Sequence, residues 1–176
     1  MSSASPQLIA RHRLVGEQID GLIELAAVHE LHDVEAARVS KWTVGKQLEH
    51  LLLSDETVLD RLDSLTDGRE GPAGGGKTVL GRAVLLIGFI PRGLGKAPVL
   101  VKPAGRDAAD IEAGLQRLAE RLAELTEQLP LLEETGWRCR HPFFGALDIG
   151  EWMRFLDVHH RHHLKIVRDI RKAADA

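Results

Sequence analysis

Four stretches of the chain repeat apolar residues at the three-and-four spacing of one helix face, each over about twenty residues, and few architectures accommodate that pattern. In the first stretch Leu8, His12, Val15, Ile19, Leu22, Ala26 and His29 share a stripe, with Ser5 placed to cap it and Pro6 suited to its first turn. The second runs from Thr43, a cap candidate, to Leu65, with Val44, Leu48, Leu51, Asp55, Val58, Leu62 and Leu65 in step. The third follows Asp107, carries Ile111, Leu115, Leu118, Leu122, Leu125 and Leu129, and is predicted to stop at Pro130. The fourth follows Asp148, which has capping-box spacing to Glu151, and its stripe is Ile149, Trp152, Leu156, His159, His163, Ile166 and Ile170.

Helices of this kind bury their stripes against one another, so the expected fold is all-α, a four-helix bundle. At 176 residues the chain is expected to form one domain, 1–176. About ten residues separate the first two helices, which suits antiparallel neighbours. About forty separate the second and third, and a crossover of that length, residues 66–106, permits those two helices to run parallel. Ten of the 17 glycines and four of the seven prolines fall in it, so only a short helix or an extended segment is expected there, lying over one end of the bundle as a lid or a partner surface.

Several functions are excluded at this level. The net charge of −3 offers no basic field for nucleic acid. The longest apolar run, Ala83 to Ile90, falls far short of the roughly 20 residues that span a bilayer, and the N-terminal MSSASPQLIARHR lacks the apolar core of a signal peptide. A cytoplasmic protein without membrane contact is therefore expected. The single cysteine, Cys139, makes neither an internal disulfide nor a thiolate metal cluster. Gly71 to Thr78 matches the phosphate-binding pattern GxxxxGK[ST], but that motif needs a strand before the loop, and the preceding LLLSDETVLDRLDSL reads as helix. The glycine-rich stretch reads instead as a flexible linker.

Nine histidines remain to be explained, and the run VHHRHHLKIV in the fourth helix is the informative one. His159 and His163 stand one turn apart, about 40° around the helix, so both imidazoles can reach a single ion at about 2.1 Å. They occupy the apolar stripe, where two unpartnered imidazoles would cost several kcal/mol. His160 and His162 lie about 75–85° off the stripe centre, and are expected at the rim or in solvent. A third ligand is needed, and His12, His29, His32, His50 and His141 are the candidates. Periodicity does not choose among them. His50 lies about 130° from the centre of its own stripe and would face a different neighbour, together with Gln47 and Ser54.

At these residues the chain resembles the DinB/YfiT-like superfamily of metal-dependent four-helix bundles. Trp42-Thr43 followed by Gln47-Leu-Glu-His50-Leu is similar to the family's second helix, and His159-His-Arg-His-His163-Leu to its fourth. His141-Pro-Phe-Phe-Gly145-Ala-Leu, Glu151-Trp152, Ile90-Pro-Arg-Gly and Lys96-Ala-Pro98 resemble one uncharacterised branch. The resemblance implies a divalent metal held by His50, His159 and His163, and a parallel middle pair of helices. Zinc and nickel suit three imidazoles better than magnesium does. The family's aspartate three residues after the first histidine is Leu53 here, with Asp55 following, so a pocket carboxylate is not carried over.

Three imidazoles leave the metal an open position for a water, as in ester, amide or phosphoester hydrolysis, or for a low-molecular-weight thiol, as in S-transfer. The expected function is thus a metal-dependent hydrolase or thiol-dependent transferase acting on a small molecule. His141 and His162 are candidates for the pocket mouth or for supporting the ligands. Glu151 is assigned to the cap, Arg161 to solvent, and Trp42, Trp137 and Trp152 to packing. Lys165, Arg168, Arg171 and Lys172 complement the helix dipole. The alternative is a non-catalytic homodimerisation or partner-binding module with a structural metal or none, motivated by the apolar crossover. A homodimer is expected in either case.

Overall fold

Four long helices make the body of the protein: α1 (Pro6–Ala26), α2 (Val44–Thr66), α4 (Ala108–Glu124) and α6 (Ile149–Ala174). Two short ones, α3 (Val79–Ile87) and α5 (Leu129–Thr135), lie in the connections, with a hairpin of β1 (Cys139–His141) and β2 (Gly145–Leu147). This is a computed structural model, and it describes residues 3–93 and 96–176. Residues 1–2 and 94–95, which the single-domain and crossover readings include, lie outside the described residues.

The caps sit where the sequence puts them. Ser5 Oγ accepts from Leu8 N–H, Thr43 Oγ1 accepts from Lys46 N–H, and Asp148 and Glu151 close a reciprocal capping box. The apolar stripes meet in one core, from Val15 and Leu22 on α1 to Leu51 and Leu62 on α2, Leu115 on α4 and Leu156 and Ile170 on α6. Pro130 does not end the third long helix. That helix stops at Glu124, a 3-10 turn follows, and Pro130 sits in the first turn of α5, where its missing N–H is not needed.

The first and second helices are not packed neighbours. Each lies against α4 and α6, and they face one another across the bundle's diagonal. The chain between them is longer than the periodicity suggested. Residues 27–43 cross the end of the bundle through a 3-10 turn at His29–Leu31, and the segment is tied to α2 by Val44 N–H to Val34 O and Gly45 N–H to His32 O. The helix pair α2 and α4 runs parallel, as expected from the long crossover. Going along both helices in the same direction, Leu52 meets Gly114, Asp60 and Asp63 pair with Arg121, and Thr66 Oγ1 donates to Gln128 Oε1.

The crossover is more ordered than a linker. Gly76 O accepts from Ala146 N–H, Lys77 bridges to Gly145, and Thr78 N–H donates to Phe144 O at 2.8 Å, so this edge joins the hairpin. Thr78 then caps α3, which rests on α6. The phosphate-loop look-alike is therefore a hairpin clasp preceded by a helix, and the flexible-linker reading of its last residues is corrected. Gly145 is required at this junction. Its φ is +85°, and a Cβ there would lie 2.4 Å from Gly76 O. At the crossover's other end the buried Glu49 carboxylate accepts three backbone N–H groups, from Ala104, Gly105 and Arg106. That anchor holds the 3-10 turn Val99–Val101 against α2.

Candidate metal centre

Between α2 and α6, beneath the anchored end of the crossover, the imidazoles of His50, His159 and His163 converge, all three buried. One nitrogen of each lies within 4.8 Å of the others, and the Nε2 atoms of His50 and His159 are 3.3 Å apart. The ring centroids of His50 and His163, and of His159 and His163, are each 4.7 Å apart. One turn of α6 supplies the histidine pair, as its spacing required. The His50 face of α2 is turned from the leucine seam toward α6 and the crossover, and Gln47 and Ser54 are buried alongside it.

The outer nitrogens are what make this cluster a donor set. His50 Nδ1–H donates to the Val101 carbonyl at 2.6 Å, and His163 Nδ1–H donates to Gln47 Oε1 at 2.7 Å. Both acceptors fix the ring tautomer, so each Nε2 keeps its lone pair for the centre. The Gln47 amide is itself oriented, since its Nε2–H donates to Ser40 Oγ. His159 stacks on Phe155, with centroids 5.1 Å apart and planes 18° from parallel, and its Nδ1 has no hydrogen-bond partner among the described residues. Burial pushes all three imidazoles below their ordinary range, His159 and His163 strongly, and each lies close to the other two. They are therefore neutral, which is the ligating form. Buried, neutral imidazoles, two of them with a fixed tautomer, fit a divalent ion.

The cluster forms one end of a pocket of about 290 Å³. Trp42, Phe143, Phe144, Trp152 and Phe155 give it an aromatic wall, and Ile90, Pro91, Lys96 and Pro98 of the crossover cover it. Among the described residues no carboxylate lines it. His141 and His162 both line this pocket. His141 Nδ1 accepts the backbone N–H groups of Phe143 and Phe144, and its ring stacks on Phe144 at 4.3 Å. Burial, and secondarily the Arg61 charge, lowers its pKa to about 4. His162 is half-buried with its pKa lowered by burial, and its ring meets His163 edge-on at 4.9 Å.

A scan against family models matches the DinB superfamily over residues 12–167. The chain belongs to the DinB superfamily. Curated proteins and solved structures compared with it gave no match.

The remaining histidines of this DinB-superfamily chain divide differently from the sequence reading. His12 Nε2 lies 2.7 Å from Leu122 O, His29 pairs with Glu112, and the His32 ring lies against Gly45, where a Cβ would come within 2.3 Å of it. His160 is the correction. It is fully buried, not at the rim, because α6 packs against α1, α2, α3 and α5 and is covered over far more than one stripe. Its Nε2–H donates to Asp55 at 2.6 Å, and its Nδ1 faces Gln18 Oε1. Arg161 is half-exposed and pairs with Asp157, and Glu151 caps α6 as assigned. Sequence reasoning missed Glu49, the Val101 carbonyl and Arg61. Arg61 had a legible signal, since His50, Ser54, Thr57 and Arg61 repeat at helical spacing on one face of α2, and all four line the pocket.

Proposed function

We propose that this protein is a metal-dependent enzyme acting on a small molecule, with His50, His159 and His163 as the metal ligands. The observation that carries the reading is the placement of three neutral imidazoles, two of them tautomer-fixed, at the end of an aromatic-walled pocket. A divalent ion bound there supplies the positive charge that turns a water or a thiol into a nucleophile near neutral pH. The chain's own residues do the rest. The Val101 carbonyl and Gln47 hold the ligand rings, the crossover excludes bulk water, and the aromatic wall takes the apolar part of the substrate.

Within this reading we favour transfer from a low-molecular-weight thiol over hydrolysis. The pocket lining carries no carboxylate among the described residues to take a proton from water. The thiol is external, since Cys139 is buried and burial pushes its pKa up to about 11. Cytoplasmic conditions, where such thiols stay reduced, suit it.

The test is metal analysis of untagged protein followed by assay against ester and thiol-conjugate panels. Zinc or nickel near one per chain, lost in His159→Ala/His163→Ala, together with thiol-dependent turnover, is the expected result. Metal unchanged in the double variant would remove the reading.

A second reading, a homodimeric binding module, draws on exposed apolar side chains of the crossover, Leu86, Ile87, Phe89 and Val99 among them. Sedimentation of wild type and Leu86→Ser/Ile87→Ser tests it. A dimer that the double substitution dissociates, with no turnover in either panel, would favour this module over an enzyme. No helix among the described residues is long and apolar enough to cross a membrane.

A further inference from the structure

Away from the three imidazoles, two polar groups of the pocket lining matter here, the Arg61 guanidinium and the His141 ring. Arg61 stands about three turns beyond His50 on the same face of α2, which places its Cα about 16 Å further along the helix. Its neighbours Asp60 and Asp63 are both turned to Arg121. Arg61 is half-buried, lines the pocket, and makes no ion pair or hydrogen bond among the described residues. Its guanidinium fork therefore has no protein anion to hold among the described residues, and it stands at the pocket wall.

His141 supplies the second group. Its Nδ1 is occupied as an acceptor from two backbone N–H groups, at 3.1 and 3.2 Å. A neutral ring with that tautomer carries its proton on Nε2, and Nε2 has no hydrogen-bond partner among the described residues. The chain thus fixes His141 as a neutral donor, not as a base. Its ring lies on the aromatic wall, stacked on Phe144, edge-on to Phe155 at 4.6 Å and tilted to Trp152 at 5.5 Å.

We propose that this end of the pocket is an anion subsite, in which the Arg61 guanidinium and the His141 Nε2–H hold a carboxylate whose apolar body lies along the aromatic wall toward His159. The substrate class is an elongated apolar or aromatic monocarboxylate with its reactive group at the opposite end. The Arg61 guanidinium and one neutral N–H match a monoanionic carboxylate, whose two oxygens the guanidinium fork can bridge; Lys96, the other cation of the lining, is exposed on the crossover. The assignment rests on the reading of this pocket as the active site, and it adds which end of the substrate is charged.

The test uses 4-phenylbutyrate and its neutral amide as probes, titrated calorimetrically into the full chain after metal has been stripped by a chelator. Stripping matters because a bound metal would itself attract the carboxylate. Metal retained by the same preparation is measured before stripping. The expected result is that the carboxylate binds about tenfold more tightly than the amide. Arg61→Gln removes the preference and Arg61→Lys keeps part of it, with circular dichroism confirming that both variants fold. Equal affinities in the wild type, a preference that survives Arg61→Gln, or no binding of either probe overturns the subsite. Retained metal without a carboxylate preference fails the subsite alone. A carboxylate preference in a chain that retains no metal leaves the subsite standing and fails the enzymatic reading.

Discussion

His160 Nε2 lies 2.6 Å from an oxygen of Asp55, with both side chains sealed from water in the middle of the bundle. The pair joins α6 to α2 beside the His50, His159 and His163 cluster, one residue along from His159. On the far side of the ring Gln18 Oε1 faces Nδ1, and the Gln18 amide N–H donates to the buried Asp157, which pairs with the more exposed Arg154 and Arg161. Three helices are thereby pinned by one chain of polar contacts.

Breaking one member of that chain is expected to cost more than replacing the pair. His160→Ala leaves the Asp55 carboxylate buried and unpartnered, and the expected loss is about 3–5 kcal/mol of unfolding free energy. Asp55→Leu/His160→Leu fills the space with apolar atoms and is expected to lose less than His160→Ala alone. Urea unfolding of the three proteins decides. A double variant weaker than His160→Ala would mean that the pair contributes net stability.

Metal affinity is expected to depend on Gln47, which never meets the ion. Gln47→Leu removes the acceptor that keeps the proton of His163 on Nδ1, and losing such a partner typically weakens metal binding 10–100-fold. Zinc competition titrations on folded Gln47→Leu should show that drop. An affinity within twofold of wild type would mean that packing alone orients His163.

The helical stripes, the caps and the histidine pair were legible because each is a local pattern, set by 3.6-residue periodicity and by side chains bonding backbone three residues away. His160 was misjudged for a related reason. A stripe-centre argument assumes one buried face, and α6 is surrounded on most of its circumference, so an off-stripe residue is buried as well. His50 lay outside the apolar pattern altogether. Its environment is made by the crossover, and the two contacts that create it, Glu49 to residues 104–106 and His50 to Val101, span more than fifty residues of sequence. The diagonal placement of α1 and α2 also depended on long-range packing that connection length does not determine.

Acid is expected to destabilise the metal-free chain well before carboxylates titrate. His141 has its pKa lowered from 6.5 to about 4 by burial, so between those values the unfolded chain binds a proton that the folded chain refuses. Its contribution is complete above pH 6.5 and is lost as pH falls toward 4. His50, His159 and His163, also lowered by burial, act in the same direction. Unfolding free energy measured from pH 7 downward should therefore fall. In His141→Asn the slope should be shallower by up to about one proton. An unchanged slope would place the His141 proton affinity near its ordinary value.

Gly145 offers a test of whether the hairpin positions the pocket wall. Phe143, Phe144 and His141 reach the pocket from the turn that ends at this glycine, and α3 is seated on the same turn, where a Cβ on Gly81 would lie 2.5 Å from Phe144 O. Gly145→Ala combines a positive φ with a Cβ that would meet Gly76 O and Thr78 N, both backbone atoms with little room to move. The expected cost is about 1–3 kcal/mol, with the clasp between residues 76–78 and β2 opening first. Hydrogen exchange should then show lost protection at Thr78 and Ala146 while the amides of α2 and α6 around His50 and His163 stay protected. Loss of protection in α6 as well would mean that the hairpin and the metal centre unfold as one unit, and that the pocket wall is part of the bundle's cooperative core.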